Sequence, residues 1–410
     1  MGKLWIGCIA DDFTGGSDAA SFLQKAGLRT ILLNGDYLEE RIMAHEPDAV
    51  VIALKSRSIP APEAVAQVTK AAKWLLAHGA KQLYFKYCST FDSTPGGNIG
   101  PVTDALMELL DVPFTVLCPS LPINGRTVEN GDLYVNGILL EHSSMRNHPI
   151  NPMTKSSLPV LMMEQSRYPC IALTRAEMAE HPAAFNVPAE HFTLVPPYAT
   201  DQDGARIAEV FGDMPLLTGG SGLLQHLGAR LGLSEQAALS CAEAAPRLLL
   251  AGSCSVMTQK QVQRYLEKGG SAVRIDPEAL LSGGQTEEGL CTKMASAERD
   301  LLFYSTAPAE QVRRNQRRGT QAVSELLESL MGRLAVCGRK QGYRRIVVAG
   351  GETSSAVVRA LHAEACWIGE SIAPGVPELW PVEQPEIRLV LKSGNFGNED
   401  FFLKALLPEA

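Results

Sequence analysis

Two adjacent carboxylates, Asp11 and Asp12, stand where a short apolar run enters a turn, in the stretch Ala-Asp-Asp-Phe-Thr-Gly-Gly-Ser-Asp from Ala10 to Asp18. A pair of this kind suits proton abstraction from a hydroxyl, one carboxylate acting as base while the other organises the site. Two further segments carry complementary groups: Lys55-Ser56-Arg57-Ser58, and Lys86-Tyr87-Cys88-Ser89-Thr90-Phe91-Asp92-Ser93-Thr94. Arg57 is suited to grip a carboxylate through a bidentate fork, and Lys86 to supply a point charge. Ser89, Asp92, Ser93 and Thr94 offer the donors and acceptors that read sugar hydroxyls. The plainer alternatives are that the Asp pair only caps a helix and that residues 55–58 are a solvated loop.

The second half of the chain holds a different chemistry. Gly252-Ser253-Cys254-Ser255, Gly350-Gly351-Glu352-Thr353-Ser354 and Lys392-Ser393-Gly394-Asn395-Phe396-Gly397 are three glycine- and serine-rich turns. Backbone N–H groups at a helix start favour anions, and glycine lets a phosphate approach the main chain. One such turn is a weak signal, but three at the strand ends of one sheet point to a phosphate-rich ligand.

Each of these segments follows an apolar run. Leu4, Trp5, Ile6, Cys8 and Ile9 read as a buried parallel strand, and Ala19, Ala20, Phe22, Leu23 and Ala26 recur at helical spacing until Gly27. Strand-like runs at residues 30–33, 49–54, 82–85 and 115–118 alternate with helical stretches such as 62–77. The pattern repeats at 248–251, 272–275, 301–304, 346–348 and 387–391, with a long helical segment over 308–341 that carries Arg313, Arg314, Arg317 and Arg318 on a solvated face. This alternation defines an α/β fold with mainly parallel sheets, which bind ligands at the carboxyl ends of their strands. Residues 125–152, crowded with Glu141, His142, Arg146, Asn147 and His148, show little periodicity and read as a long excursion from the sheet. The Ala- and Glu-rich stretch ending at Pro246 marks a boundary, predicting two α/β domains over residues 1–235 and 246–410.

Composition narrows the function. Of 410 residues, 45% are apolar and 20% charged, as in a well-packed globular protein. A net charge of −8 argues against nucleic acid or an anionic membrane as partner, so an anionic substrate must be held by local cations. No run approaches a membrane span, the N-terminus lacks signal-peptide features, and nine scattered cysteines without a C-x-x-C pair read as reduced thiols. A cytoplasmic protein is expected. No G-x-x-x-x-G-K-[ST], no G-x-G-x-x-G after a strand, no H-E-x-x-H and no G-x-S-x-G occurs, and the histidines do not cluster as metal ligands.

Taken together, Asp11-Asp12-Phe13-Thr14-Gly15, Lys55-Ser56-Arg57, Asp92-Ser93-Thr94, Gly350-Gly351-Glu352-Thr353-Ser354 and Lys392-Ser393-Gly394-Asn395-Phe396-Gly397 resemble, in order, the motifs of the four-carbon acid sugar kinase family. The resemblance spans nearly the whole chain. It implies a substrate-binding first domain, a nucleotide-binding second domain and an active site in the cleft between them. It also implies ATP and Mg²⁺, with Asp12 or Asp11 as base, Asp12 favoured, and the other organising the site. Arg57, Lys86, Ser89, Asp92, Ser93 and Thr94 would lie on the sugar acid, and Ser253, Ser255, Gly350, Gly351, Glu352, Thr353 and Gly394 on ATP. Residues 86–98 resemble the 3-oxo-tetronate kinase branch: Pro95-Gly96-Gly97 stands where threonate and erythronate kinases carry Leu-Arg-Gly. Ser355 departs from the glycine usual in the family at that position. The readings that compete are a threonate or erythronate kinase, a sugar-acid dehydrogenase, which the missing dinucleotide motif disfavours, and a sugar-acid sensor. A homodimer is one candidate assembly.

Overall fold

A computed structural model describes residues 3–35, 39–147, 151–179, 189–233, 246–297, 300–306, 320–373 and 375–406. The basic cluster at 313–318, His148 and most of the 234–246 linker lie outside the described residues. The chain divides into two compact units, residues 1–236 and 237–410.

In the first unit the apolar runs become strands β1 (Ile6–Ala10), β2 (Thr30–Asn34), β3 (Ala49–Ala53), β4 (Gln82–Lys86) and β5 (Phe114–Cys118). β1 and β3 are buried along their whole length, which is why their sequences are continuous rather than alternating. A small meander follows, with β6 (Arg126–Glu129), β7 (Asp132–Val135) and β8 (Ile138–Leu139). Then come β9 (Cys170–Ala172), β10 (Phe192–Val195) and β11 (Leu216–Gly219). The main sheet has the order β2-β3-β1-β4-β11-β5-β10-β9, and every pairing in it is parallel. Its register sets Ala53, Ala10, Lys86 and Gly219 in one row at the carboxyl ends of β3, β1, β4 and β11.

The excursion at 125–152 is more regular than its sequence suggests. Asn130-Gly131 and Asn136-Gly137 take positive φ (51° and 82°, 52° and 78°) and turn β6 into β7 and β7 into β8 as antiparallel hairpins. Asn-Gly between short strands is the turn type whose twist matches a hairpin, so the signal was present but short.

The second unit holds β12 (Arg247–Ala251), β13 (Ser271–Arg274), β14 (Leu301–Tyr304), β15 (Arg345–Ala349), β16 (Ala365–Ala373), β17 (Val376–Pro381) and β18 (Arg388–Lys392), in the order β13-β14-β12-β15-β18-β17-β16. The first five strands in that order pair in parallel, whereas β16–β17 and β17–β18 are antiparallel. Tyr304, Ala251, Ala349 and Lys392 form one terminal row, so the glycine turns at 252, 350 and 393 all leave the sheet at the same level. Val262 and Tyr265 from the helix Val256–Glu267, with Phe401 and Phe402, pack on Leu249, Val347 and Val390 to make the core behind that row.

The side chains of Cys291 and Cys337 meet, with their Cα atoms 6.4 Å apart and 46 positions apart in sequence. The pair is created by two helices meeting, which no local spacing rule detects. Among the described residues no helix is long and apolar enough to cross a membrane.

Candidate active site

Asp11 follows β1 directly, and Asp12 is the N-cap of α1 (Phe13–Lys25). The helix therefore begins earlier than Thr14, because the Asp12 Oδ1 accepts the Gly15 N–H at 2.6 Å. Capping does not exhaust the pair. Arg57 turns its fork on Asp11, donating through Nε and Nη2 at 2.8 Å each, while its Nη1 lies 2.9 Å from Asp12 and 3.9 Å from Asp92. The fork expected to grip a substrate carboxylate is thus closed on Asp11, the nearer and more deeply buried anion.

The two aspartates differ in access. The Asp11 side chain is 6% exposed and that of Asp12 33%. Burial pushes the Asp11 carboxyl above its ordinary range against the opposing pull of Arg57. Arg57 is held firmly protonated by the carboxylates around it, which outweigh its own burial.

Lys86 ends β4 inside the same row. It is 4% exposed, donates to the Tyr87 carbonyl at 2.9 Å, and has no ion-pair partner among the described residues. A methyl group added at Gly15 would come within 2.9 Å of its Nζ, which places the ammonium against the first turn of α1. Asp92 accepts from Asn151 at 2.9 Å, and Ser93 accepts from Gln165 at 3.1 Å. Gly97 folds back on this loop: a side chain there would meet Ser93 Oγ at 2.0 Å, so glycine at 97 is needed for its shape. Ser89 is partly buried and Thr94 exposed, both on the loop that follows Lys86.

One positioning residue escapes a sequence reading. Asn98 precedes α3 (Ile99–Leu110) in the place of an N-cap, yet its side chain makes no capping bond. Its Nδ2 instead reaches the carbonyls of Ser56, Arg57 and Ile59 at 2.6, 3.2 and 2.9 Å, holding the loop that carries Arg57.

In the second unit the three turns interlock. Ser255 caps the helix Val256–Glu267 and donates to Gly394 O at 2.7 Å; Thr258 Oγ1 donates to the same carbonyl at 2.8 Å. The N–H groups of Gly252 and Ser253 both bond Ala349 O at 3.1 Å, and that of Gly350 bonds Lys392 O at 2.9 Å. A Cβ at Gly394 would meet Ser253 Oγ at 2.3 Å, so only glycine lets the first and third turns touch. The middle turn differs from the first. Gly350, at φ 131°, is the N-cap of the helix Gly351–Leu361, and having no side chain it makes no side-chain cap to that helix start. A Cβ at Gly351 meets nothing within 4 Å, so this helix start faces open space. Ser355, in the departing position, is buried on that helix. Such a cradle fits the phosphates of a nucleotide. Among the described residues no three His, Cys, Asp or Glu side chains converge as a metal site.

A row of parallel strand ends carrying an acid pair and two cations, and in the second unit a row carrying three interlocked glycine turns, fit a two-unit α/β phosphotransferase. The sugar-binding N-terminal domain family matches residues 6–227, and the nucleotide-binding C-terminal domain family matches residues 248–402. A 3-oxo-tetronate kinase of Cupriavidus necator is 43% identical over 98% of this chain and 96% of its own length, and one of Brucella melitensis is 42% identical over 98% and 94%. The crystal structure of a Haemophilus influenzae protein of the DUF1537 family superposes with a TM-score of 0.84 at 41% identity, covering 97% of this chain and 98% of that one. The chain belongs to the four-carbon acid sugar kinase family.

Proposed function

We propose that the protein transfers the γ-phosphoryl group of ATP to the C4 hydroxyl of 3-oxo-tetronate, giving 3-oxo-tetronate 4-phosphate and ADP. The first domain, residues 1–235, holds the sugar acid and the second, residues 246–410, the nucleotide. The O4–Pγ bond forms as the bond from Pγ to the β-phosphate oxygen breaks, and the hydroxyl proton passes to a carboxylate. Asp12 is the base, because it is the accessible member of the pair and Arg57 orients it. Asp11 holds Arg57 in place. Lys86 faces the acid's anionic or 3-oxo oxygens, and Ser89, Asp92, Ser93 and Thr94 read its hydroxyls. Ser253, Ser255, Gly350, Gly351, Glu352, Thr353 and Gly394 cradle ATP. Mg²⁺ bound with the nucleotide would supply charge neutralisation during transfer.

The observation that carries the nucleotide assignment is the helix start at Gly350 and Gly351, where a glycine N-cap faces open space beside two other glycine turns from the same strand row. The substrate assignment rests on the relatives named 3-oxo-tetronate kinase and on the Pro95-Gly96-Gly97 loop. A coupled ADP-release assay with freshly generated 3-oxo-tetronate, threonate and erythronate tests it. ADP formation fastest with the 3-oxo acid is expected. Preference for threonate or erythronate overturns the substrate choice, and binding of the acids without ADP release overturns the kinase reading.

A further inference from the structure

Lys392, the last residue of β18, lies 1% exposed beneath all three glycine turns. Its ammonium has three protons and three acceptors: Thr258 Oγ1 at 3.2 Å, Ser393 O at 3.1 Å and Gly394 O at 2.9 Å. Its own carbonyl accepts the Gly350 N–H at 2.9 Å. Thr258 stands in the first turn of the helix that Ser255 caps. A single residue therefore ties the first turn through Thr258, the second through its main chain and the third through its side chain.

The charge itself needs a reason. Among the described residues no carboxylate pairs with Lys392, and Phe401, whose ring centre is 5.7 Å away, is the aromatic neighbour. Burial without a counter-ion pulls its pKa down to about 8. A buried ammonium without a counter-ion is costly in desolvation even when hydrogen-bonded, and a turn that needed only shape would be served as well by an uncharged side chain. Every donor on Nζ is already satisfied within the protein, so Lys392 acts through the turns and through its field, which is weakly screened in the interior.

We propose that Lys392 is a positioning residue for the nucleotide: it locks the three turns in register and supplies the buried positive charge by which the cradle favours a polyphosphate over an uncharged nucleoside. The inference rests on the nucleotide reading of this unit. It concerns how that site discriminates among ligands.

The test is calorimetric titration of the full-length protein with ATP, ADP and adenosine, together with kcat and KM for ATP. Lys392→Met keeps the length of the side chain and removes the charge. It should weaken ATP on the order of 10-fold or more, ADP by less, and adenosine hardly at all, with KM for ATP rising more than kcat falls. Thr258→Val, which removes one acceptor of the ammonium but keeps the volume, should weaken ATP roughly threefold and also spare adenosine. ATP binding unchanged in Lys392→Met, or ATP and adenosine weakened equally, overturns the inference. Should Lys392→Met fail to fold by circular dichroism, Thr258→Val decides by the same two criteria. Wild-type protein that binds no ATP overturns the nucleotide reading and this inference with it, whereas wild-type binding with unaltered variants overturns the inference alone.

Discussion

Asp11 and Asp12 are neighbours in sequence and opposites in environment, and Arg57 is what separates their duties. The guanidinium gives Asp11 its fork and Asp12 only a single Nη1. Replacing Asp12 by Asn should lower turnover by about 10²- to 10⁴-fold, as expected for loss of a general base. The amide keeps an oxygen for the Gly15 N–H, so α1 and ATP affinity should be unaffected. Near-normal turnover in Asp12→Asn would remove it as the base. Arg57→Met should act on stability as well as activity, since it strands the Asp11 carboxylate in a buried site. A loss of about 3 kcal/mol is expected in urea denaturation. Adding Asp11→Asn to that variant should recover much of the loss, because the two residues form one interacting pair. None of this division is visible in the dipeptide itself, where both readings, cap and catalyst, were open. Asp12 turns out to cap α1 and to face Arg57 at once.

The elements that carry these groups share one device: parallel strands end level, so whatever follows them is gathered along one edge. In the first unit that row is Ala53, Ala10, Lys86 and Gly219; in the second it is Tyr304, Ala251, Ala349 and Lys392. A lysine closes a strand in both, buried and bonded to the carbonyl of the next residue. The glycines of the second row are not equivalent. Gly351→Val projects into open space, so it should leave the melting temperature nearly unchanged while weakening ATP by blocking the approach of phosphate. Gly394→Ala drives a methyl group into Ser253 Oγ and should lower both the melting temperature and ATP affinity. Thermal melts paired with ATP titration of the two variants separate these outcomes, and an unchanged nucleotide dissociation constant in Gly351→Val would take that turn out of the site. The continuous apolar strands β1, β3, β12 and β15 were legible because burial on both faces writes itself into four or five consecutive residues. The antiparallel β16–β17 pair and the β6–β8 meander were not, since their patterns are short and their partners non-local.

For the molecule as a whole, two compact units, each with its own ligand as proposed above, imply separable responses. Hydrogen–deuterium exchange should show ATP protecting amides at 252–255, 350–354 and 392–397. The sugar acid should protect 10–16, 55–58 and 86–98. ATP protection confined to the first unit would reverse the assignment of ligands to units. At saturating ATP the added stability should follow the ligand concentration logarithmically.

The amino-acid sequence by itself determined the α/β class, the order of the motifs and the two chemistries, because strand burial, helix starts and phosphate-tolerant turns are local properties. It could not determine which charges meet. That Arg57 closes on Asp11, that Asn98 reaches back to hold the Arg57 loop, that Cys291 meets Cys337, and that Lys392 lies under three turns without a counter-ion among the described residues were decided only by the tertiary structure. Each depends on strand register and on burial, and both are set by residues far away in the chain.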